Sequence, residues 1–326
     1  MSRAKGKKVL VFGGAGMIGS AISRLLVKDG AEVTIVDAML PMYGGNLFNI
    51  EAIKDEVIFI RGDIRDNDLV RRVVKGVDII FNLAAQVSYV DSSSHPHLDL
   101  DINCGGHLNI LEACRYLNRD AVLVFSSSRF VYGSIEYNPV DERHPFNCLS
   151  IYGIHKLACE KYHQFYSMAY GLRSIVFRIA NPYGPGQQMK HEKYGIANWF
   201  IRKAMDGEVL TIYGDGIQKR DYIFVDDLAE AMVLASLTND SKHDVFNIGR
   251  GVGVTFKEMV RFIADMTGSK VSYVEWPKDR YFVETGDYIT DISHLCSKID
   301  WEPKVELREG IRITLEYYRK HKEHYW

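Results

Sequence analysis

The chain is short of nearly every feature that would set it apart from an ordinary globular protein. Lysine and arginine number 40 against 42 aspartates and glutamates, a formal net charge of -2. No field of one sign therefore draws it to nucleic acid or to an acidic membrane. No apolar run reaches the roughly 18 residues that a spanning helix needs. The cysteines (Cys104, Cys114, Cys148, Cys159, Cys296) are odd in number and widely spaced. They offer neither metal-ligand spacing nor a disulfide framework, which points to a reduced, cytoplasmic protein without a metal. The basic residues before Val9 superficially suggest a secretion signal, yet the stretch runs into a glycine turn with no small-residue cleavage site. Internal repeats and low-complexity segments are missing too.

What is there suffices for a full core. Of 326 residues, 47% are hydrophobic and 12% aromatic, and at roughly 150 residues per domain two domains are expected. From residue 7 to residue 180, short β-branched runs alternate with helical patterns. Strands are expected at 7–13, 31–37, 57–63, 77–84, 121–127 and 172–180, with helices at 18–28, 66–75, 98–117 and 152–170. Continuous apolar strands between helices imply a parallel sheet covered on both faces, a doubly wound α/β fold of Rossmann type. After Ala180 the segment 181–188, rich in Gly and Pro, reads as a loop crossing between domains. Residues 181–326 then form a smaller α/β substrate domain, with elements near 222–249 returning to the cofactor domain of 1–180. Helices are expected near 196–205, 226–237, 255–267 and 306–319, and strands near 209–214 and 245–249.

Between the first strand and first helix stand Gly13, Gly16 and Gly19, with Met17 and Ile18 opening the helix. Glycines there let the backbone approach a pyrophosphate at the positive helix end. Asp37 closes the second strand, where a carboxylate accepts both ribose hydroxyls and repels a 2′-phosphate, favouring NAD over NADP. Asp63 and Ile64 close the third strand and suit an adenine, although Asp63 also suits a helix cap.

Tyr152 and Lys156 lie one helical turn apart. A phenol with an ordinary pKa near 10 is a poor base, and an ammonium beside it favours the phenolate. The same spacing recurs in Tyr318 and Lys322, read here as a solvated helix face. What distinguishes the first pair is Ser126-Ser127-Ser128 at a strand end, 24 to 26 residues earlier.

These residues resemble the extended short-chain dehydrogenase/reductase family, its nucleotide-sugar epimerases and dehydratases in particular. The resemblance rests on GGAGMIGS, the serines followed by Val131-Tyr132-Gly133, and Tyr152-x-x-x-Lys156. It continues through Leu83-Ala84-Ala85-Gln86, Asn103, Arg178-x-x-Asn181-Pro182-Tyr183-Gly184-Pro185 and Gly214-Asp215-Gly216-x-Gln218-x-Arg220-Asp221-Tyr222. It implies NAD contacts from Asp37, Asp63, Ile64, Ala84, Ala85, Asn103, Tyr152 and Lys156. It also implies a catalytic Ser128 that touches substrate with Tyr152, Ser127 being less apt. Asn181, Arg220 and Arg280 would hold the diphosphate of a nucleotide sugar, unless Arg220 and Asp221 form a local ion pair.

Sequence departures discriminate within the family. Dehydratases carry acids after the serine, where this chain has Arg129-Phe130, and 4-epimerases carry small residues there. His155, Ile151 and Asn82 also depart from the usual residues. The expectation is a UDP-hexose 4-epimerase (UDP-glucose or UDP-N-acetylglucosamine) working through a transient 4-keto sugar. A 4,6-dehydratase, a CDP-sugar 2-epimerase, a 4-keto reductase and a non-catalytic NAD-binding scaffold remain alternatives. A homodimer, typically through helices at 98–117 and 152–170, is implied as well.

Overall fold

The computed structural model describes residues 3–193, 195–238, 244–276 and 286–326. The first half alternates strand and helix: β1 (Lys8–Phe12), α1 (Met17–Lys28), β2 (Glu32–Asp37), β3 (Val57–Arg61), α2 (Asn67–Val73) and β4 (Ile79–Asn82). Two short helices follow, α3 (Tyr89–Ser94) and α4 (Pro96–Asp99), then α5 (His107–Leu117), β5 (Val122–Ser128), α6 (Ile151–Tyr170) and β6 (Arg173–Ile179). The second half holds β7 (Asn181–Tyr183), α7 (Ile196–Met205), β8 (Leu210–Tyr213), β9 (Lys219–Phe224), α8 (Val225–Leu237) and β10 (Val245–Ile248). It closes with β11 (Gly253–Thr255), α9 (Phe256–Thr267), β12 (Val271–Val274), α10 (Ser293–Lys298) and α11 (Leu307–His321).

Seven strands form one parallel sheet in the order β10-β6-β5-β4-β1-β2-β3. Its strands are apolar and buried on both faces, as β4 (Ile79, Ile80, Phe81) and β5 show. The order reverses between β1 and β4, and at such a switch point the strand ends open a crevice. β10 joins β6 from far along the chain, and α8 packs its alanines against Ile22 and Leu26 of α1. The sheets β11-β9-β7 and β12-β8 lie apart, around a second apolar cluster of α7, α9 and α11.

Three sequence expectations change. The helix at 98–117 begins at Pro96 and widens into a π-helical stretch at Leu100–Gly106 before α5. Gly105 and Gly106 weaken the regular helix there, and a Cβ on Gly106 would stand 2.5 Å from Ile64. The loop at 181–188 contains strand β7, which pairs with β9. Tyr318 is fully buried, and its hydroxyl donates to the Gln187 carbonyl at 2.8 Å. It shares one helical face with Leu307, Ile311 and Leu315, whereas the charges that suggested solvent line the other.

Candidate active site

One cleft of about 310 Å³ runs along the carboxyl ends of the strands, from Gly13 and Asp37 to Ser128, Tyr152 and Asn181. At its cofactor end the β1–α1 turn is a cradle that side chains would fill. Gly13 has φ +75° and a Cβ there would stand 2.8 Å from the Ala84 amide nitrogen, while one on Gly19 would be 2.3 Å from the Gly13 carbonyl. The cap of α1 is Gly16, with no side-chain hydrogen bond and no acid in the first turn. Its first amides therefore face the cleft as donors for an anion. Asp37 ends β2, its carboxylate accepting from the amides of Ala15 (3.1 Å) and Met39 (2.9 Å). Burial pushes that carboxyl up, and the two amides oppose the shift. This donor set fits a dinucleotide with a free ribose diol, so the residues present suit NAD.

Asp63 and Ile64 also line the cleft. Arg65 grips the Asp63 carboxylate with Nε and Nη2 (3.0 and 2.6 Å) and holds it below the usual carboxylate range, whereas Asp66 caps α2. Ala84 and Ala85 line the cleft directly. Asn103 exchanges two 2.9 Å hydrogen bonds with the main chain of Gln86, so it positions the alanine loop.

At the other end the three serines separate by strand alternation. Ser127 turns to the opposite face and bonds Glu160, which pairs with buried Arg178 at 2.8 Å. Ser128 lines the cleft with Tyr152, its hydroxyl favouring the phenolate, and accepts from the Phe130 amide at 3.3 Å. Ser150 caps α6 through the Gly153 amide and so fixes Tyr152 in the first turn. Lys156 Nζ donates to the Ser126 carbonyl at 2.8 Å and lies 5.7 Å from the centre of the Tyr152 ring. Burial pushes Tyr152 up, against the Ser128 hydroxyl, and pushes Lys156 down. In the protein alone, desolvation thus outweighs the stabilisation of phenolate that the Tyr–Lys spacing implies. His155 meets fully buried Asp99 at 2.5 Å, and the Asp99 charge also raises Tyr152.

Beyond Ser128 the wall is aromatic. Phe130 stacks on Tyr89 (5.3 Å) and stands edge-on to Tyr152 (5.9 Å). Asn181 lines the cleft, its Nδ2 donating to the Asp221 carbonyl at 2.7 Å. Arg220 on β9 donates to the carbonyls of Lys219 (2.9 Å) and Gly286 (2.7 Å). The Asp221 carboxylate accepts from the amides of Arg250, Gly251 and Thr290, so it serves the backbone and not its neighbour Arg220. Arg280 lies outside the described residues. Reasoning from sequence gave no role to Tyr222, which lines the cleft beside Asn181. Its one signal was its place closing the motif that runs to Arg220-Asp221-Tyr222, because β9 carries no alternation and was not read as a strand.

Among the described residues no cluster of three or more His, Cys, Asp or Glu is placed to hold a metal, and no helix is long and apolar enough to cross a membrane. The model of the NAD dependent epimerase/dehydratase family matches residues 9–249. A putative UDP-glucose 4-epimerase of Methanocaldococcus jannaschii is 35% identical over 310 residues, covering 95% of this chain and 97% of its own. A CDP-paratose 2-epimerase of Salmonella typhi is 29% identical, covering 95% and 98%. The UDP-glucose 4-epimerase of Thermus thermophilus, solved in complex with NAD, superposes with a TM-score of 0.84 at 33% identity, covering 96% and 99%.

Proposed function

The chain belongs to the NAD dependent epimerase/dehydratase family, and from that premise we propose that it is a nucleotide-sugar 4-epimerase, with a UDP-hexose as substrate. The observation that carries this reading is Ser128, Tyr152 and Lys156 lining one cleft with a cradle that fits NAD, with Arg129 and Phe130 where a dehydratase needs acids.

Bound NAD supplies a hydride acceptor that later returns the hydride, and its cationic ring adds to the charge of Lys156 near the phenol. Tyr152, bridged by Ser128, takes the proton of the C4 hydroxyl as C4 is oxidised to the ketone. Lys156 lowers the cost of the phenolate from behind, held in place by the Ser126 carbonyl. Asn181 and Arg220 hold the diphosphate, and Arg280 is assigned the same task by resemblance. A guanidinium suits forked phosphate contacts. The 4-keto sugar turns about its diphosphate link and is reduced on the opposite face, with Tyr152 returning the proton. The proposal includes a homodimer and a reducing cytoplasm, which suits five free thiols.

The test is proton NMR of the purified protein with UDP-glucose, UDP-galactose and their N-acetylhexosamine counterparts, with no cofactor added. A galacto/gluco mixture from one of them is the expected result. A 4-keto-6-deoxy product, or turnover of CDP- and dTDP-sugars alone, contradicts the reading.

A further inference from the structure

We propose that Arg129 belongs to the anion subsite of the substrate, orienting the Asn181 carboxamide and adding a guanidinium beside the diphosphate. The inference rests on the nucleotide-sugar reading and names a residue for that site that the family's motifs do not supply.

Arg129 directly follows Ser128 and is buried. Its Nε donates to Asn181 Oδ1 at 3.2 Å. Its guanidinium carbon stands 4.8 Å from the centre of the Phe130 ring and 5.2 Å from that of Tyr288, so stacking fixes the fork in one place. Asn181 is thereby held from two sides, with Oδ1 on Arg129 and Nδ2 on the Asp221 carbonyl. Only one orientation of the amide satisfies both partners. It leaves the second N–H of Nδ2 for the cleft that Asn181 lines.

A second observation is independent of the first. Tyr222 lines the same cleft, and its buried hydroxyl meets no hydrogen-bond partner among the described residues. The charges of Arg220 and Arg129 both act on that hydroxyl, against the burial that pushes it up. An amide N–H and a phenol thus line one end of the cleft, with the charges of Arg129 and Arg220 acting on it from behind. Donors backed by positive charge match an acceptor-rich dianion. Arg220 comes from β9 and Arg129 from the end of β5, so the anchor of the substrate and the serine beside its reacting carbon share one strand end.

A merely structural Arg129 is replaceable by glutamine, which keeps a donor for Asn181 and loses only the charge. The experiment is calorimetric titration of the NAD-loaded protein with UDP, CDP and dTDP, comparing wild type with R129Q and R129K. Retained NAD and an unchanged melting temperature report the fold. The expected result is a loss of about tenfold or more in R129Q for whichever diphosphate binds the wild type. R129K keeps the charge but loses the stacked planar fork, so it is expected to lose about threefold or more, less than R129Q. Binding by a folded R129Q within about twofold of wild type overturns the assignment. Should R129Q fail to fold, binding by a folded R129K within about twofold of wild type overturns it instead. Failure of all three diphosphates to bind the wild type sinks the nucleotide-sugar reading itself, and this inference with it.

Discussion

Tyr152 carries the largest conflict of forces in the cleft. Burial opposes its ionisation, the Asp99 carboxylate opposes it further, and the Ser128 hydroxyl favours it. The proposed chemistry needs the phenolate, so the charge of Lys156 has to count where water is excluded. Tyr152→Phe is expected to lower turnover by about a hundredfold or more with the fold intact by circular dichroism. Removing the ammonium raises the phenol further, so Lys156→Met is expected to move the ascending limb of turnover against pH to higher pH. Near-wild-type turnover in the first variant, or an unmoved limb in the second, contradicts the assignment. At this scale the sequence was legible where spacing decides. Tyr152 and Lys156 are one turn apart in any helix, and Ser128 was singled out by the family resemblance, three positions before Val131-Tyr132-Gly133. The contacts of Arg129 and Asp99 were not legible, because their partners Asn181 and His155 lie 52 and 56 residues away.

The helix α6 shows what an element adds to its residues. Its inner face holds Tyr152, Lys156, Glu160 and His163, all buried. Its outer face carries Ile154 (52% exposed), Phe165 (48%) and Met168 (80%), spaced so that they form one stripe. Tyr116 of α5 is exposed as well. An apolar stripe on the helix that bears Tyr152 and Lys156 is the face expected to meet a second copy. Light scattering is expected to read about twice the mass of one chain, and Phe165→Glu with Met168→Glu to halve it. A monomeric wild type contradicts that expectation. The π-helical stretch before α5 illustrates the opposite case. Its composition reads as one continuous helix, whereas the widened turn lies at two glycines, of which Gly106 packs too closely on Ile64 to carry a Cβ.

Across the whole molecule, legibility followed length and periodicity. The six strands of the first half are apolar runs between helices, and their right-handed crossovers leave one sheet order to choose. The second half is built from strands of three to six residues whose partners are distant in sequence. β8 pairs with β12 some 61 residues on, and β7 pairs with β9 across 41. Runs that short carry no period of their own, so β7 read as loop and β9 went unseen, though it brings Tyr222 to the cleft. The molecule joins a parallel sheet, whose strand ends open the cleft, to a separate apolar cluster of α7, α9 and α11.

The proposed 4-epimerase chemistry makes one demand, that the hydride leaving C4 return to the same carbon without meeting solvent. The direct test is UDP-glucose carrying deuterium at C4, incubated in ordinary water with no added cofactor and followed by NMR. Retention of the deuterium at C4 of the galacto product is the predicted result. Its replacement by solvent hydrogen would contradict the account.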